Sequence, residues 1–293
     1  ARLLGGRMEL SVEAAVAAVQ SGVAGPLGLS LEDAAWGILA IADNHMVGAV
    51  RVVSVERGHD PRDFTLVPFG GAGPLHGCAL ANLLGISRIL IARAPGVLCA
   101  DGLLDADLKA EFSQALPEAL PVAVAETTVL VTELEAKAQA WFIEEGVALD
   151  RQQIRPVALM RYRGQGGELA VAMSGDLAAD FAAAHRALYG FTLQAVVELV
   201  TVRVEATGLA AERQAQNLAY GTQFDTLGEA EIAGPRGRQK VALVDRACLG
   251  AGALLKGPMI LTQLDTTTLI AEGWDGAVQP SGAILLTRTE NPT

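Results

Sequence analysis

The residues best suited to chemistry lie in one short stretch, LVPFGGAGPLHG, at positions 66–77. It connects a predicted strand to a predicted helix, because short apolar segments precede and follow it. Gly70, Gly71 and Gly73 allow a ligand to approach the backbone closely, and Pro74 suits the first position of a helix. Free backbone N–H groups and the positive end of the helix dipole would then face an anion such as a phosphate.

His76 would lie in the first turn of that helix. A neutral imidazole there could donate a hydrogen bond to a phosphate or nucleotide oxygen, which makes His76 the candidate catalytic residue. The alternative is a tight strand-to-helix connection whose glycines serve packing alone. Two familiar phosphate motifs are absent from the sequence: there is no GxxxxGK[ST], and the glycines of GAGPLHG are spaced one residue too widely for a dinucleotide fingerprint.

Composition excludes several classes of function. The net charge is −11, with 22 basic residues against 33 acidic ones, and a phosphate-backbone surface needs clustered Lys and Arg. We therefore expect no nucleic-acid partner. We also expect no membrane partner, because no uninterrupted apolar run reaches the roughly 18 residues that a span requires.

Cysteine and histidine spacing indicates no metal site. Cys78, Cys99 and Cys248 form no CxxC pair, and no two histidines are four residues apart. Free thiols are typical of a cytoplasmic protein, and we expect Cys99 to be a small buried side chain rather than a nucleophile.

The elements around the glycine-rich stretch alternate in type. Residues 63–69 and 87–92 have the composition of short buried strands, and residues 74–85 between them form a helix closed by Gly85. This order predicts a parallel crossover unit. Two further helices are predicted upstream, one after Ser11 and a long one from Ser30 to Gly58.

The second half of the chain has a different pattern. Residues 116–126 carry two prolines and no single period, which indicates a linker between domain 1–115 and domain 127–293. Strand patterns dominate the second domain, and helices are predicted at 127–146 and 176–190. The predicted class there is mixed α+β, with strands at 154–163, 168–173, 197–208, 240–245, 258–263 and 283–287.

Several motifs resemble one family. The stretch from Val55 to Leu104, which contains FTLVPFGGAGPLHGCALANLLG, strongly resembles the hydantoinase A/oxoprolinase family. Further matches are LGGRM near the start, RYRGQGGEL at 161–169, HRALYGF at 185–191 and KGPMILTQLDTTTLIAEGW near the end. The family includes ATP-dependent hydantoinases, 5-oxoprolinases, and subunits of acetone and acetophenone carboxylases.

The resemblance implies an α/β fold: the second lobe of an actin-like, ribonuclease H-like ATPase, followed by the mixed α+β domain. It implies ATP and Mg²⁺ as cofactors, although no ligand motif for Mg²⁺ is visible. Asn44, on the long helix, would form a wall for adenine, with helix packing as the alternative. The implied nucleotide-binding residues are Gly70, Gly71, Ala72, Gly73, His76 and Asn44.

Three other residues are candidates for contacting the substrate or a partner. Arg161 and Arg163 flank a turn in RYRGQGGEL, and a solvated hairpin is the alternative. Asp265 begins DTTT, for which a polar turn entering a strand is the alternative interpretation. Glu168 and Asp265 are the carboxylates in family-like motifs of the predicted second domain, but spacing alone does not pair them as acid and base.

The chain also departs from the family pattern. The family proteins are roughly twice as long, and their first lobe carries an Asp-x-Gly-Gly-Thr phosphate loop that does not occur here. The resemblance therefore implies the C-terminal half, with an N-terminal lobe supplied by another chain or a missing segment and a hydantoinase B-type subunit as a further partner. We expect a cytoplasmic hetero-oligomer.

The implied activity is an ATP-dependent ring-opening amidohydrolase that phosphorylates a cyclic amide for hydrolysis. One alternative is a subunit of an ATP-dependent ketone carboxylase of the acetone or acetophenone type. A second alternative is a non-catalytic assembly subunit that has kept the fold.

Overall fold

The chain leaves its first structural unit once and later returns to it. The computed structural model describes residues 2–3, 7–121, 127–173, 175–213, 216–234 and 237–289. Unit 1 consists of Ala1–Asp101 together with Gln214–Thr293, and unit 2 consists of Gly102–Arg213. The content of helix and sheet is mixed in both units, as expected from the sequence.

The helices largely follow the local sequence patterns. Ser30 begins the long helix: its Oγ accepts from Asp33 N at 3.0 Å and donates to Asp33 Oδ2 at 2.7 Å, which is the predicted cap. Gly85 ends the helix after the glycine-rich stretch with φ 71°, also as predicted. The α-helices are α1 (Val12–Val19), α2 (Gly25–Leu27), α3 (Leu31–Val53), α4 (Gly73–Leu84), α5 (Leu98–Leu103), α6 (Thr127–Glu144) and α7 (Leu177–Tyr189).

The strands extend beyond the predicted ones. The six predicted segments of the second half all contain strands, but the pattern misses β4, β8, β10, β12 and β13. The strands of the described residues are β1 (Arg2–Leu3), β2 (Met8–Glu9), β3 (Arg88–Ile91), β4 (Leu108–Pro121), β5 (Gln152–Tyr162), β6 (Leu169–Ala172), β7 (Val197–Gly208), β8 (Gly228–Gly234), β9 (Gly237–Asp245), β10 (Leu254–Lys256), β11 (Met259–Thr262), β12 (Thr267–Ile270), β13 (Trp274–Val278) and β14 (Ile284–Arg288).

The strand predicted at 63–69 is wrong in extent. Leu66 makes a single parallel bridge to Ile89, with hydrogen bonds from Leu66 N to Arg88 O and from Leu90 N to Leu66 O. Pro68 has no N–H to continue the ladder, so the pairing stops there. The parallel connection through α4 is therefore present only as this bridge.

Two four-stranded sheets build unit 1. One has the order β10-β13-β14-β3 and is antiparallel; the other has the order β12-β11-β9-β8, with β9 and β11 parallel. Ile284 and Leu286 of β14 lie opposite Ile91 and Ile89 of β3. These residues share one hydrophobic core with α4 and with Trp274, which is almost completely buried. The C-terminal strands thus complete the unit that holds the glycine-rich stretch.

Unit 2 is one antiparallel sheet with two helices. Its order is β4-β7-β5-β6, and its core contains Phe142 of α6 and Phe181 of α7. Residues 116–121 of the predicted linker belong to β4, which pairs with β7, and residues 122–126 lie outside the described residues.

The division into units also differs from the predicted domains 1–115 and 127–293. Residues 102–115 belong to unit 2, and residues 214–293 belong to unit 1. Pairing between distant strands causes both differences, and a local composition shift does not report such pairing.

The segment Leu31–Arg57 corrects the expectation that no part of the chain could span a membrane. This segment is 27 residues long and its mean hydropathy is 1.4, so by length and composition alone it could cross a membrane. Of its most apolar window, 11% is buried. A helix of a folded unit passes the same test. Here Asp43, near the middle of α3, is buried and hydrogen-bonded to α4.

We expect the C-terminal strands to be essential to the stability of unit 1. Ile284→Ala removes a fully buried side chain opposite Ile91 and should lower the free energy of unfolding by about 2–5 kcal/mol. Leu254→Ala is the matched control, because Leu254 is 74% exposed on the same sheet. Urea unfolding of both variants is the measurement. Equal, small effects would show that β14 is not part of the folding core.

Candidate functional site

Glycine is favoured at the three glycine positions of the 70–73 loop for different structural reasons. Only Gly70 has a positive φ, at 85°. A Cβ on Gly73 would touch the backbone of Pro68 at 3.4 Å, and a Cβ on Gly71 would lie 3.6 Å from Asp265 O. The expected conformational freedom is therefore used at Gly70, whereas the other two glycines allow close packing.

A distant turn holds this loop in place. Thr266 Oγ1 contacts Gly71 O at 2.9 Å and Gly70 O at 3.3 Å, so the hydroxyl donates to the loop carbonyls. Thr266 is buried and lies between β11 and β12, within the DTTT motif. The motif is thus a polar turn, as one interpretation proposed, and that turn supports the glycine loop.

Residues 95–96 form hydrogen bonds with both the glycine loop and the 263–266 turn. Gly70 N donates to Pro95 O at 2.8 Å, and Gly96 N donates to Asp265 Oδ2 at 2.9 Å. A Cβ on Gly96 would lie 2.4 Å from Asp265 O, which leaves no room for a side chain. We call the segments 70–73, 95–96 and 263–266 the three-loop junction.

The three-loop junction borders a cavity of 1180 Å³ in unit 1. Gly71, Ala72 and Leu75 contribute one side of it. The remaining lining residues are Met8, Arg93, Leu218, Asp245, Arg246, Ala247, Leu249, Thr262, Gln263, Leu264, Asp265, Thr266, Thr267, Val278, Gly282 and Ile284. The wall is therefore largely aliphatic, with two arginines and two aspartates among the polar groups.

Arg246 is the buried cation of that wall. Its Nη2 donates to Ala92 O at 2.7 Å and to Gly282 O at 3.0 Å. Burial lowers the pKa of Arg246 to about 10, while the charge of Asp265 acts in the opposite direction. The guanidinium therefore stays charged at neutral pH. Sequence reasoning missed this residue, because nothing in its local pattern marks an arginine as buried.

His76 pairs with a carboxylate rather than with the cavity. Its Nδ1 lies 2.7 Å from Asp43 Oδ1 of α3, and both side chains are largely buried. His76 is not among the residues that line the cavity. Asp43 was not a predicted site residue. Its one visible signal is an acidic residue in the middle of an otherwise apolar helical pattern.

Asn44 contacts its own helix. Its Nδ2 donates to Ala40 O at 2.9 Å, its side chain is exposed, and it does not line the cavity. An adenine-contacting role for Asn44 stays a prediction.

The candidates Arg161 and Arg163 lie in unit 2, whereas Asp265 lies in unit 1. Both arginines face Glu198 of β7: Arg163 Nε donates to Oε1 at 2.6 Å, and Arg161 Nε lies 3.6 Å from Oε2. The hydrogen bond from Arg163 is the main reason that the pKa of Glu198 is lowered. The two arginines of the motif RYRGQGGEL therefore form an ion cluster at the end of β5 in which the Glu198 side chain is buried and the Arg163 side chain is exposed.

The pKa of Cys78 does not indicate an activated thiol. Cys78 is buried in α4, and burial raises the pKa of its thiol to about 11, so it stays protonated at neutral pH. Cys99 is exposed, so the expectation that it is buried was wrong. Within the described residues no group of three or more His, Cys, Asp or Glu could hold a metal ion.

The sequence matches a known family model and several known proteins. Residues 1–112 match the model of the hydantoinase/oxoprolinase family. An uncharacterized protein of Methanocaldococcus jannaschii is 33% identical over 98% of this chain and 42% of its own length. Caprolactamase subunit alpha of Pseudomonas jessenii is 29% identical over 97% of this chain and 44% of its own length. The chain belongs to the hydantoinase/oxoprolinase family.

A solved structure shares the fold. The nucleotide-free structure of acetone carboxylase has a TM-score of 0.80 at 20% identity, covering 98% of this chain and 44% of that chain. This hydantoinase/oxoprolinase chain therefore spans less than half the length of these relatives.

Thr266→Val should loosen the glycine loop. Valine keeps the shape but removes the hydroxyl that donates to Gly71 O, which should lower the free energy of unfolding by about 1–3 kcal/mol. Amide hydrogen exchange at residues 70–73 should become faster. Thr287→Val, at an exposed position on β14, is the control. Unchanged exchange in the loop would show that the turn does not hold it.

Proposed function

We propose that this chain supplies the glycine-loop wall of an ATP site in an enzyme that opens cyclic amides. The observation that carries the proposal is the three-loop junction, which fixes the glycine loop at the start of α4 and at the edge of a large cavity. Such a loop in a hydantoinase/oxoprolinase chain fits the second lobe of an actin-like ATPase.

The start of α4 is suited to an anion. No side chain caps this helix, and Pro74 occupies its first turn, so the backbone end is open to a phosphate or ribose oxygen. The nucleotide contacts we propose are Gly70, Gly71, Ala72 and Gly73. In the proposed reaction the amide oxygen attacks the γ-phosphorus of ATP and ADP leaves. Water then attacks the carbon, and the ring nitrogen leaves with a proton to give an open-chain acyl phosphate. A second water cleaves the acyl phosphate to a carboxylate and phosphate. Mg²⁺ would accompany the nucleotide; the donor set of the described residues provides no cluster of its own.

His76 stays the candidate catalytic residue, with a role different from the expected one. If Nδ1–H donates to Asp43, the neutral ring leaves Nε2 without a proton, so it accepts rather than donates. Such a histidine can take a proton from an attacking water, with Asp43 fixing the tautomer. The expected donation to a phosphate oxygen would require the charged imidazolium.

Exposed apolar side chains on α3 support a partner. Trp36, Ile38, Leu39 and Ile41 are each at least 42% exposed on this one helix. We propose that the N-terminal lobe of the family, which relatives of more than twice this length have room to contain, covers this surface. We also propose a cytoplasmic hetero-oligomer that includes a hydantoinase B-type subunit, with Arg161, Arg163 or Asp265 contacting substrate or partner.

A ketone carboxylase subunit is the second candidate, favoured by the fold similarity to acetone carboxylase. The two reactions separate in one assay of the complete assembly. ATP hydrolysis that depends on a cyclic amide supports the hydrolase, whereas ATP hydrolysis that depends on bicarbonate and a ketone supports the carboxylase.

Gly71→Val tests the nucleotide role against a purely structural one. A branched side chain at Gly71 would project beside Asp265 and the cavity, which Gly71 lines. In the complete assembly kcat/KM for ATP should fall at least ~10-fold, equivalent to about 1.4 kcal/mol. Gly102→Val is the control, because a Cβ there meets nothing within 4 Å.

Both variants should keep a cooperative unfolding transition. If the Gly71 and Gly102 variants hydrolyse ATP like the wild type, the loop is not a nucleotide wall. That result would favour the assembly-subunit alternative.

A further inference from the structure

A buried histidine of unit 2 holds an exposed turn in place. His185 is completely buried, and its ring packs against four aromatic rings, those of Tyr162, Phe181, Tyr189 and Phe191. A carbonyl only accepts, so His185 Nδ1 donates to Phe191 O at 2.8 Å, and in the neutral ring Nε2 accepts from Gln165 Nε2 at 3.1 Å. Gln165 Oε1 accepts from Tyr162 N at 3.3 Å. These bonds join the turn 163–168 to the segment that follows α7.

Two glycines of this turn have no structural reason within the described part of unit 2. The φ of Gly164 is 83°, which explains that position. Gly166 and Gly167 are exposed and lie outside the left-handed region, and a Cβ on either would meet nothing within 4 Å. Glycine also allows another backbone to approach closely. The open side of the turn therefore suits contact with a second polypeptide.

The turn also presents a guanidinium with free donors. The Arg163 side chain is 58% exposed, and it shares the Glu198 carboxylate with Arg161. Its Nε donates to Glu198, whereas Nη1 and Nη2 have no hydrogen-bond partner within the ranges that the structure describes. A second carboxylate can therefore bind Arg163 through these two nitrogens. Glu168, at the far end of the turn, is exposed and would lie at the rim of such a contact.

Exposed apolar side chains adjoin Arg163. Its N donates to Val196 O at 2.8 Å, so the two residues are neighbours. Val196, Leu193 and Phe191 are all exposed, and arginine and aromatic residues are enriched at protein interfaces. We call residues 163–168 and 191–196 the turn surface. None of them lines the 1180 Å³ cavity, and an open turn does not enclose a small molecule, so a partner chain fits better than a substrate.

We propose that the turn surface docks the hydantoinase B-type subunit. The docked segment would place a carboxylate on Arg163 and an apolar side chain on Phe191 and Val196, with its backbone close to Gly166 and Gly167. Because buried hydrogen bonds already fix the turn, docking does not have to order it.

The inference rests on the hetero-oligomer proposed above. The N-terminal lobe is there proposed to cover α3 of unit 1, so we assign this surface of unit 2 to the other partner. Charge complementarity supports an acidic segment, because Arg163 offers two free donors for a carboxylate.

The test is the dissociation constant of the B-type subunit for the rest of the complete assembly, measured by analytical ultracentrifugation. Arg163→Glu should weaken binding at least ~10-fold, because it replaces an attraction by a repulsion between carboxylates. Arg155→Glu is the matched control: Arg155 lies on β5, which leads into the turn, is 67% exposed and pairs with Glu205. Its dissociation constant should equal that of the wild type.

Arg163→Glu also leaves the buried Glu198 side chain with Arg161 and could fail to fold. Gly166→Val then decides. A Cβ at Gly166 meets nothing within 4 Å, so this variant should keep a cooperative unfolding transition. Its branched side chain should nevertheless hold the partner's backbone away and weaken binding several-fold. Gly102→Val, at an equally open position, is its control.

Wild-type affinity in folded Arg163→Glu, or in Gly166→Val, would overturn the docking surface, as would an equal loss in Arg155→Glu. A raised KM for the cyclic amide with unchanged association would overturn it in favour of a substrate contact. A dimer of this chain that Gly166→Val dissociates would overturn it in favour of a second copy. Failure of the wild-type assembly to bind the B-type subunit would also overturn it, whereas ATP hydrolysis that depends on a cyclic amide tests the proposed enzyme separately.

Discussion

The hydrogen bonds from the 263–266 turn to the glycine loop and to Gly96 are the contacts on which the rest of the site depends. Thr266 donates to Gly71 O, and Asp265 accepts from Gly96 N. Both contacts join the first hundred residues to the end of the chain. A glycine loop has many accessible conformations. These hydrogen bonds select the one in which the start of α4 borders the cavity. The C-terminal strands therefore form part of the site as well as of the core.

The sequence predicts the elements that depend on neighbouring residues. Ser30 with Asp33, Pro74 at the start of α4, and Gly85 at its end are local signals, and each is found where predicted. The pattern at 197–208 likewise predicts β7 with its full length. The motif DTTT correctly indicates a polar turn, but its partner in space was not visible.

Contacts between distant residues could not be predicted in the same way. The packing of β12 against α4, where Cys78 Sγ donates to Leu269 O, brings Asp265 beside Gly71, although the predicted domains separate the two residues. The pair of His76 and Asp43 joins two helices, and its only sequence signal is a single carboxylate. Burial of Arg246 depends on strands from both ends of the chain. Composition and periodicity indicate whether a residue lies in a helix or a strand. The contacts and the burial described here arise from packing between elements that are distant in the sequence.

The central claim is that the glycine loop forms one wall of a nucleotide site that other parts of the assembly complete. A backbone N–H group that binds the nucleotide gives up a hydrogen bond to water. The glycine loop alone therefore contributes little net affinity. Calorimetric titration of ATP with Mg²⁺ into the purified 293-residue chain tests the claim most directly. The account predicts a dissociation constant in the millimolar range or weaker, about −4 kcal/mol, and no measurable hydrolysis. Micromolar affinity with steady hydrolysis by this chain alone would contradict it.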